Sequence, residues 1–147
     1  MRKATCCLLV VLFGSWSSSL GQSAPKFSTP RIVATFERLR QTGEIPSTTI
    51  YTPKHWGTFR CSLVMVLTEA NGGEAFWQGG LLVKDGSGQH GPDSPFGTSL
   101  TTNARSTIVF DFPFRAEAGQ PIQVEVEAVG NTSGSKYNVW VVVEQLM

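Results

Sequence analysis

The sequence predicts an all-β protein, an antiparallel sandwich or jelly roll, and three observations predict it. Apolar and polar residues alternate with period two along several segments, as they do in strands half buried in a sheet. Turn-forming Gly, Pro, Asn and Ser clusters separate those segments. Helical spacing is nearly absent: residues 37–41 offer at most one helical turn before Gly43 and Pro46 end it.

In chain order, residues 32–36 form a short apolar stretch, and residues 48–52 are β-branched and aromatic, closed by Pro53. Residues 59–68 make the longest strand, with Phe59, Cys61, Leu63, Met65 and Leu67 on one parity. Residues 75–85 form a second long run, which Gly79-Gly80 is expected to break. In residues 107–115, Ile108, Phe110, Phe112 and Phe114 alternate with Val109, Asp111, Pro113 and Arg115. Pro113 cannot donate to a ladder, which puts that strand at an edge or a bulge. Residues 122–129 set Ile122, Val124, Val126 and Ala128 against Gln123, Glu125 and Glu127. Residues 137–146 end the chain with apolar residues on both parities: Tyr137, Val139, Val141 and Val143 on one, Trp140 and Val142 on the other. The longest connector, residues 86–98, holds four glycines and two prolines. The expected core joins Phe59, Leu63, Phe110, Phe112, Val124, Val126, Val139 and Val141.

The first residues resemble a secretory signal peptide: Arg2-Lys3, an apolar run from Cys6 to Phe13, then small and polar residues. The run is far shorter than the ~20 residues of a spanning helix, so no membrane span is expected. Residues 1–21 are read as a signal peptide, with cleavage as late as 24, residues 22–31 as a flexible arm, and residues 32–147 as one domain. The chain left after cleavage, about 125 residues, can bury roughly two thirds of its unfolded surface. The expected location is secreted or periplasmic. Cys6 and Cys7 would be removed, which leaves Cys61 alone and without a disulfide. Its parity makes it a buried small hydrophobe.

Composition argues against nucleic acid. Removing Arg2 and Lys3 takes the 12 basic residues to 10, against 11 acidic ones, and no cationic stripe forms. No metal-ligand spacing, nucleophile elbow or phosphate loop is present, so no cofactor, metal or catalytic residue is assigned. His55 and His90 read as solvated loop residues. Asp85 and Asp93 are too sparsely supported by oxygen donors to make a calcium loop. Glu125 and Glu127 share a strand face and read as solvated. Asn131-Thr132-Ser133 has the form of a glycosylation acceptor. Trp56, Trp77, Trp140 and Tyr51 supply aromatic contact area. Trp77 is assigned to the core, while Trp140, Val142, Tyr51 and Trp56 are the candidate binding or interface residues.

Four segments carry a family resemblance: Thr48-Thr49-Ile50-Tyr51-Thr52-Pro53; Gly57-Thr58-Phe59-Arg60; Phe112-Pro113-Phe114-Arg115-Ala116-Glu117-Ala118-Gly119; and Tyr137-Asn138-Val139-Trp140-Val141. Their order resembles exported or phage-tail-associated bacterial proteins. These in turn look like the jelly-roll heads of the tumour necrosis factor and complement-globular-head superfamily. The resemblance covers about residues 32–146. It implies an antiparallel jelly roll of about eight to ten strands, often a homotrimer, and no enzyme activity. The chain departs from it in having no collagen-like repeat. The expected function is therefore a non-catalytic secreted recognition or assembly module that self-associates through apolar strand faces, with an unknown protein or glycan ligand. The alternative is a carbohydrate-binding module or a small β-sandwich hydrolase that uses exposed aromatics with Glu125 and Glu127.

Overall fold

The computed structural model describes residues 29–92 and 96–147. The signal-peptide reading, most of the predicted arm and Asp93 lie outside the described residues. Nine strands run through them: β1 (Arg31–Gln41), β2 (Ile45–Tyr51), β3 (Gly57–Glu69), β4 (Phe76–Asp85), β5 (Gly88–His90), β6 (Gly97–Thr101), β7 (Thr107–Ala116), β8 (Ile122–Val129) and β9 (Lys136–Gln145). They form two antiparallel sheets. One has the order β1-β9-β3-β7; the other has β2-β8-β4, with β5 and β6 both pairing with β4. Apart from β4, β5 and β6, successive strands lie in opposite sheets, which is the winding of a jelly-roll sandwich.

The alternation seen in the sequence becomes two inner faces. Phe59, Cys61, Leu63, Met65 and Leu67 of β3 and Tyr137, Val139, Val141 and Val143 of β9 are all at most 1 % exposed. They meet Trp77, Leu81 and Val83 of β4 and Ile122, Val124 and Val126 of β8. Each large side chain buried this way contributes about 1.5–3 kcal/mol relative to exposure. With no disulfide among the described residues, this core is the main source of stability. Phe110 packs against the core only half buried, and Phe112 is buried. Both lie on β7, which pairs only with β3 and is an edge strand, as Pro113 implied.

Three expectations are corrected. Residues 37–41 are not a helical turn but continue β1, and a bulge between Arg38 and Gln41 bends the strand. There Arg40 takes φ 53° and its N–H donates to Asn138 Oδ1 at 2.7 Å. Arg31, placed in the flexible arm by the sequence, opens β1 opposite Gln145. Gly79-Gly80 do not break β4, which runs unbroken between β8 and β6. A Cβ on Gly79 would lie 2.5 Å from Met65 Sδ, and one on Gly80 would fall on Phe96 O. The glycines thus permit close approach on both sides of the strand.

Candidate functional site

The connector expected over residues 86–98 contains β5 and the start of β6. At its tip, Asp85 Oδ1 accepts the Ser87 N–H at 2.8 Å and the Ser87 hydroxyl at 2.6 Å. His90 Nε2 lies 3.0 Å from both Asp85 Oδ1 and Ser87 Oγ, and the His90 ring packs on Phe96 with centroids 4.8 Å apart. His90 is therefore a half-buried strand residue, paired with Val83, rather than the solvated loop residue expected. These are the residue types of a hydrolytic triad in a different arrangement. The Ser87 hydroxyl lies 2.6 Å from the Asp85 carboxylate and 3.0 Å from His90 Nε2, and the carboxylate meets that same ring nitrogen rather than the opposite one, unlike a triad.

The Ser87 and His90 hydrogen bonds hold the Asp85 carboxyl down at about 2, below its ordinary value. A depressed folded-state value means that the contact stabilises above the ordinary carboxylate range and is lost as pH falls toward 2. Asp85→Ala is expected to lower the melting temperature at pH 7. The gap from wild type should close near pH 2 in thermal melts followed by circular dichroism.

Cys61 is fully buried, and burial, with the Asp111 charge as a smaller cause, pushes its thiol up to about 12. A thiol so protonated is no nucleophile at neutral pH. Glu125 and Glu127 face outward from β8 beside Glu44, along an open groove of about 650 Å³. Glu44 Oε1 accepts the Ala128 N–H there at 3.2 Å. Asn131 is exposed in the β8–β9 turn, and its Oδ1 accepts the Ser133 N–H at 3.1 Å.

The structure separates the four candidate interface residues into two places. Trp140 and Val142 lie on the outer face of the four-stranded sheet. Register sets Val109 of β7, Val64 of β3, Trp140 of β9 and Glu37 of β1 in one row across it. The Trp140 indole N–H donates to Glu37 Oε1 at 3.1 Å. In the next row Val142 lies between Ser62 and Thr35, and Ser62 Oγ donates to Asp111 Oδ2 at 3.1 Å. Val66 extends the apolar strip on the other side, between Thr107 and Asn138. The strip is bounded at one end by Arg60, whose guanidinium donates twice to Glu144 Oε2. Val109 is 69 % exposed. The opposite sheet differs: β8 presents Gln123, Glu125 and Glu127 outward, and β4 presents Gln78 beside Glu127.

Tyr51 and Trp56 lie elsewhere, at the end of the sandwich where β2 turns into β3. Tyr51 is half buried with its ring edge-on to Phe59, centroids 6.1 Å apart. Trp56 is 56 % exposed, and the Arg115 guanidinium lies 5.4 Å from its ring centroid. Trp77 is core, as expected. Its ring packs at a tilt of 39° against Tyr137, centroids 4.7 Å apart, and its indole N–H donates to Ser135 Oγ at 3.0 Å.

No family model and no curated protein matches the chain. Among solved structures, the chain is similar to dimeric latent PorU from Porphyromonas gingivalis, with a TM-score of 0.40 and 10 % identity. That match covers 86 % of this chain and 14 % of the PorU chain, so the chain spans a small part of the length of that protein. Among the described residues, no helix is long and apolar enough to cross a membrane.

Proposed function

We propose that this protein is an exported, non-catalytic assembly or recognition module that self-associates through the outer face of its four-stranded sheet. One observation carries the reading: Val109, Val64, Val66, Trp140 and Val142 form an apolar strip on the side of the sheet that faces away from the core. An antiparallel sheet with one solvated face ordinarily turns polar residues outward. The other sheet turns Gln123, Glu125, Glu127, Gln78 and Lys84 outward, with Phe76 and Leu82 as half-buried exceptions, whereas here the apolar residues adjoin in one strip. A contiguous apolar strip with a polar border is the usual anatomy of a contact surface. The Arg60–Glu144 pair and Glu37 supply that border. The resemblance to tumour necrosis factor and complement heads favours a threefold arrangement, in which heterologous contacts close into a ring. Export is supported by the Arg2-Lys3 and Cys6–Phe13 layout.

Sedimentation of the wild-type protein at micromolar concentration is expected to give an oligomer, with a trimer favoured. Trp140→Glu is expected to give a smaller species that is still folded. Val109→Asp should do the same without disturbing the Trp140–Glu37 hydrogen bond. A monomeric wild type, or variants that keep the wild-type mass, would overturn the reading.

A further inference from the structure

We propose that the end of the sandwich beside Trp56 is a binding site for an acidic saccharide. It is a second site, away from the apolar strip, and does not depend on self-association. A cavity of about 330 Å³ opens there, lined by Arg31 at the start of β1, Tyr51 at the end of β2, Pro53, Lys54 and His55 in the β2–β3 connection, and Gln145 at the end of β9. That volume lies within the range of small-ligand sites.

The chemistry of the lining is one-sided. Arg31 and Lys54 are cations and His55 is a third group able to carry positive charge, while no carboxylate side chain lines the cavity. Glu144, next to Gln145 in sequence, is already engaged by Arg60. Tyr51 and Gln145 add a neutral hydroxyl and an amide, which match sugar hydroxyls. Trp56 follows directly after His55 and offers an exposed ring of the kind that stacks on the C–H face of a sugar. Cations and neutral hydrogen-bonding groups in the lining, with a part-exposed indole beside it whose other face meets Arg115, fit a saccharide bearing carboxylate or sulfate better than a bare anion.

An acidic peptide fits less well. An extended peptide docks by adding main-chain hydrogen bonds to a free strand edge. β1 and β2 are edge strands, but the connection that carries Lys54 and His55 offers no such edge: Gly119 N–H donates to Pro53 O at 2.8 Å, and beside it Thr58 N–H donates to Met147 O at 3.2 Å and Leu146 N–H to Thr58 O at 2.8 Å. These bonds, and the Arg115 guanidinium over Trp56, also hold the β2–β3 connection in place. The backbone of the connection is thereby held before the ligand arrives, which lowers the ordering cost of binding.

The test is calorimetric titration of the full chain with a galacturonate tetramer and with a heparin-derived tetrasaccharide. The comparison ligands are a neutral galactose tetramer, a glutamate hexamer and sodium sulfate. At least one acidic saccharide should bind, more weakly as salt rises. Arg31→Gln and Lys54→Gln should each weaken it about tenfold or more, with unchanged circular dichroism. Trp56→Ala should weaken it as well. Four results would each overturn the proposal: no binding of either acidic saccharide at millimolar concentration, equal binding of the neutral tetramer, binding of the glutamate hexamer or sulfate as tight as the saccharide, or affinity unchanged in the Arg31 and Lys54 variants. The oligomer is measured separately, so either proposal can fail alone.

Discussion

Trp77→Ala is expected to destabilise the fold by about 3–5 kcal/mol, a large share of the roughly 5–15 kcal/mol that holds a domain of this kind together. Trp77 is 1 % exposed and lies between the two sheets against Tyr137. Its removal leaves a cavity that both sheets would have to move to fill. It also strips a donor from Ser135 Oγ, a buried hydroxyl that itself donates to Thr132 O at 2.6 Å. Trp77→Phe keeps most of the apolar contact and loses the hydrogen bond, so it should cost clearly less. Urea denaturation followed by fluorescence and circular dichroism measures both. A loss below about 1 kcal/mol for the alanine variant would contradict the packing described.

Gly80→Ala should be the more damaging of two neighbouring substitutions, at about 1–3 kcal/mol or somewhat above. A Cβ there falls on Phe96 O and comes within 2.8 Å of Gly97 Cα and 2.9 Å of Pro92 Cβ. Two of these three are backbone atoms, held by the Leu81 N–H to Phe96 O bond of 3.0 Å and by the Gly80–Gly97 register. Relief requires β6 to shift away from β4. Gly79→Ala meets Met65 Sδ instead, near the end of a flexible side chain that can change rotamer. Matched urea melts of the two variants check the order. Equal losses, or a worse Gly79 variant, would show that the segment before β6 is not braced as described.

The parts of the fold that were legible in the sequence are those with one wet and one dry face. β8 matches its alternation residue for residue, Ile122–Val129, because Val124 and Val126 are buried while Glu125 is half exposed and Glu127 exposed. β7 was legible for the same reason, and Pro113 gave its edge position. The charged end of β1 was not, because Glu37, Arg38, Leu39 and Arg40 are all exposed on an edge strand, where no face is dry enough to impose alternation. β5 and β6 are too short to show a period, and they sit among glycines of two kinds: Gly86, Gly88 and Gly91 stand in open space, while Gly97 is closely packed against Pro92. Of the candidate site, Trp140 and Val142 were legible because both parities of β9 are apolar. The cavity beside Trp56 was not: Arg31, Lys54 and Gln145 are far apart in the chain and meet only where β1 begins and β2 and β9 end.

The slot between β1 and β3 is filled by β9, the last strand of the described chain. During synthesis, β1 therefore has no sheet partner until β9 is made, about a hundred residues later. β3 waits for β7 as well, some fifty residues downstream in the register (Ser62 with Asp111). Loop-closure entropy must be met before most of these pairings stabilise anything, which is the condition for slow folding. Until then β1 and β3 present open edges that any extended segment can join. The charged, bulged end of β1, with Glu37, Arg38 and Arg40, then has a second role. It makes the strand that waits longest a poor template for the wrong neighbour.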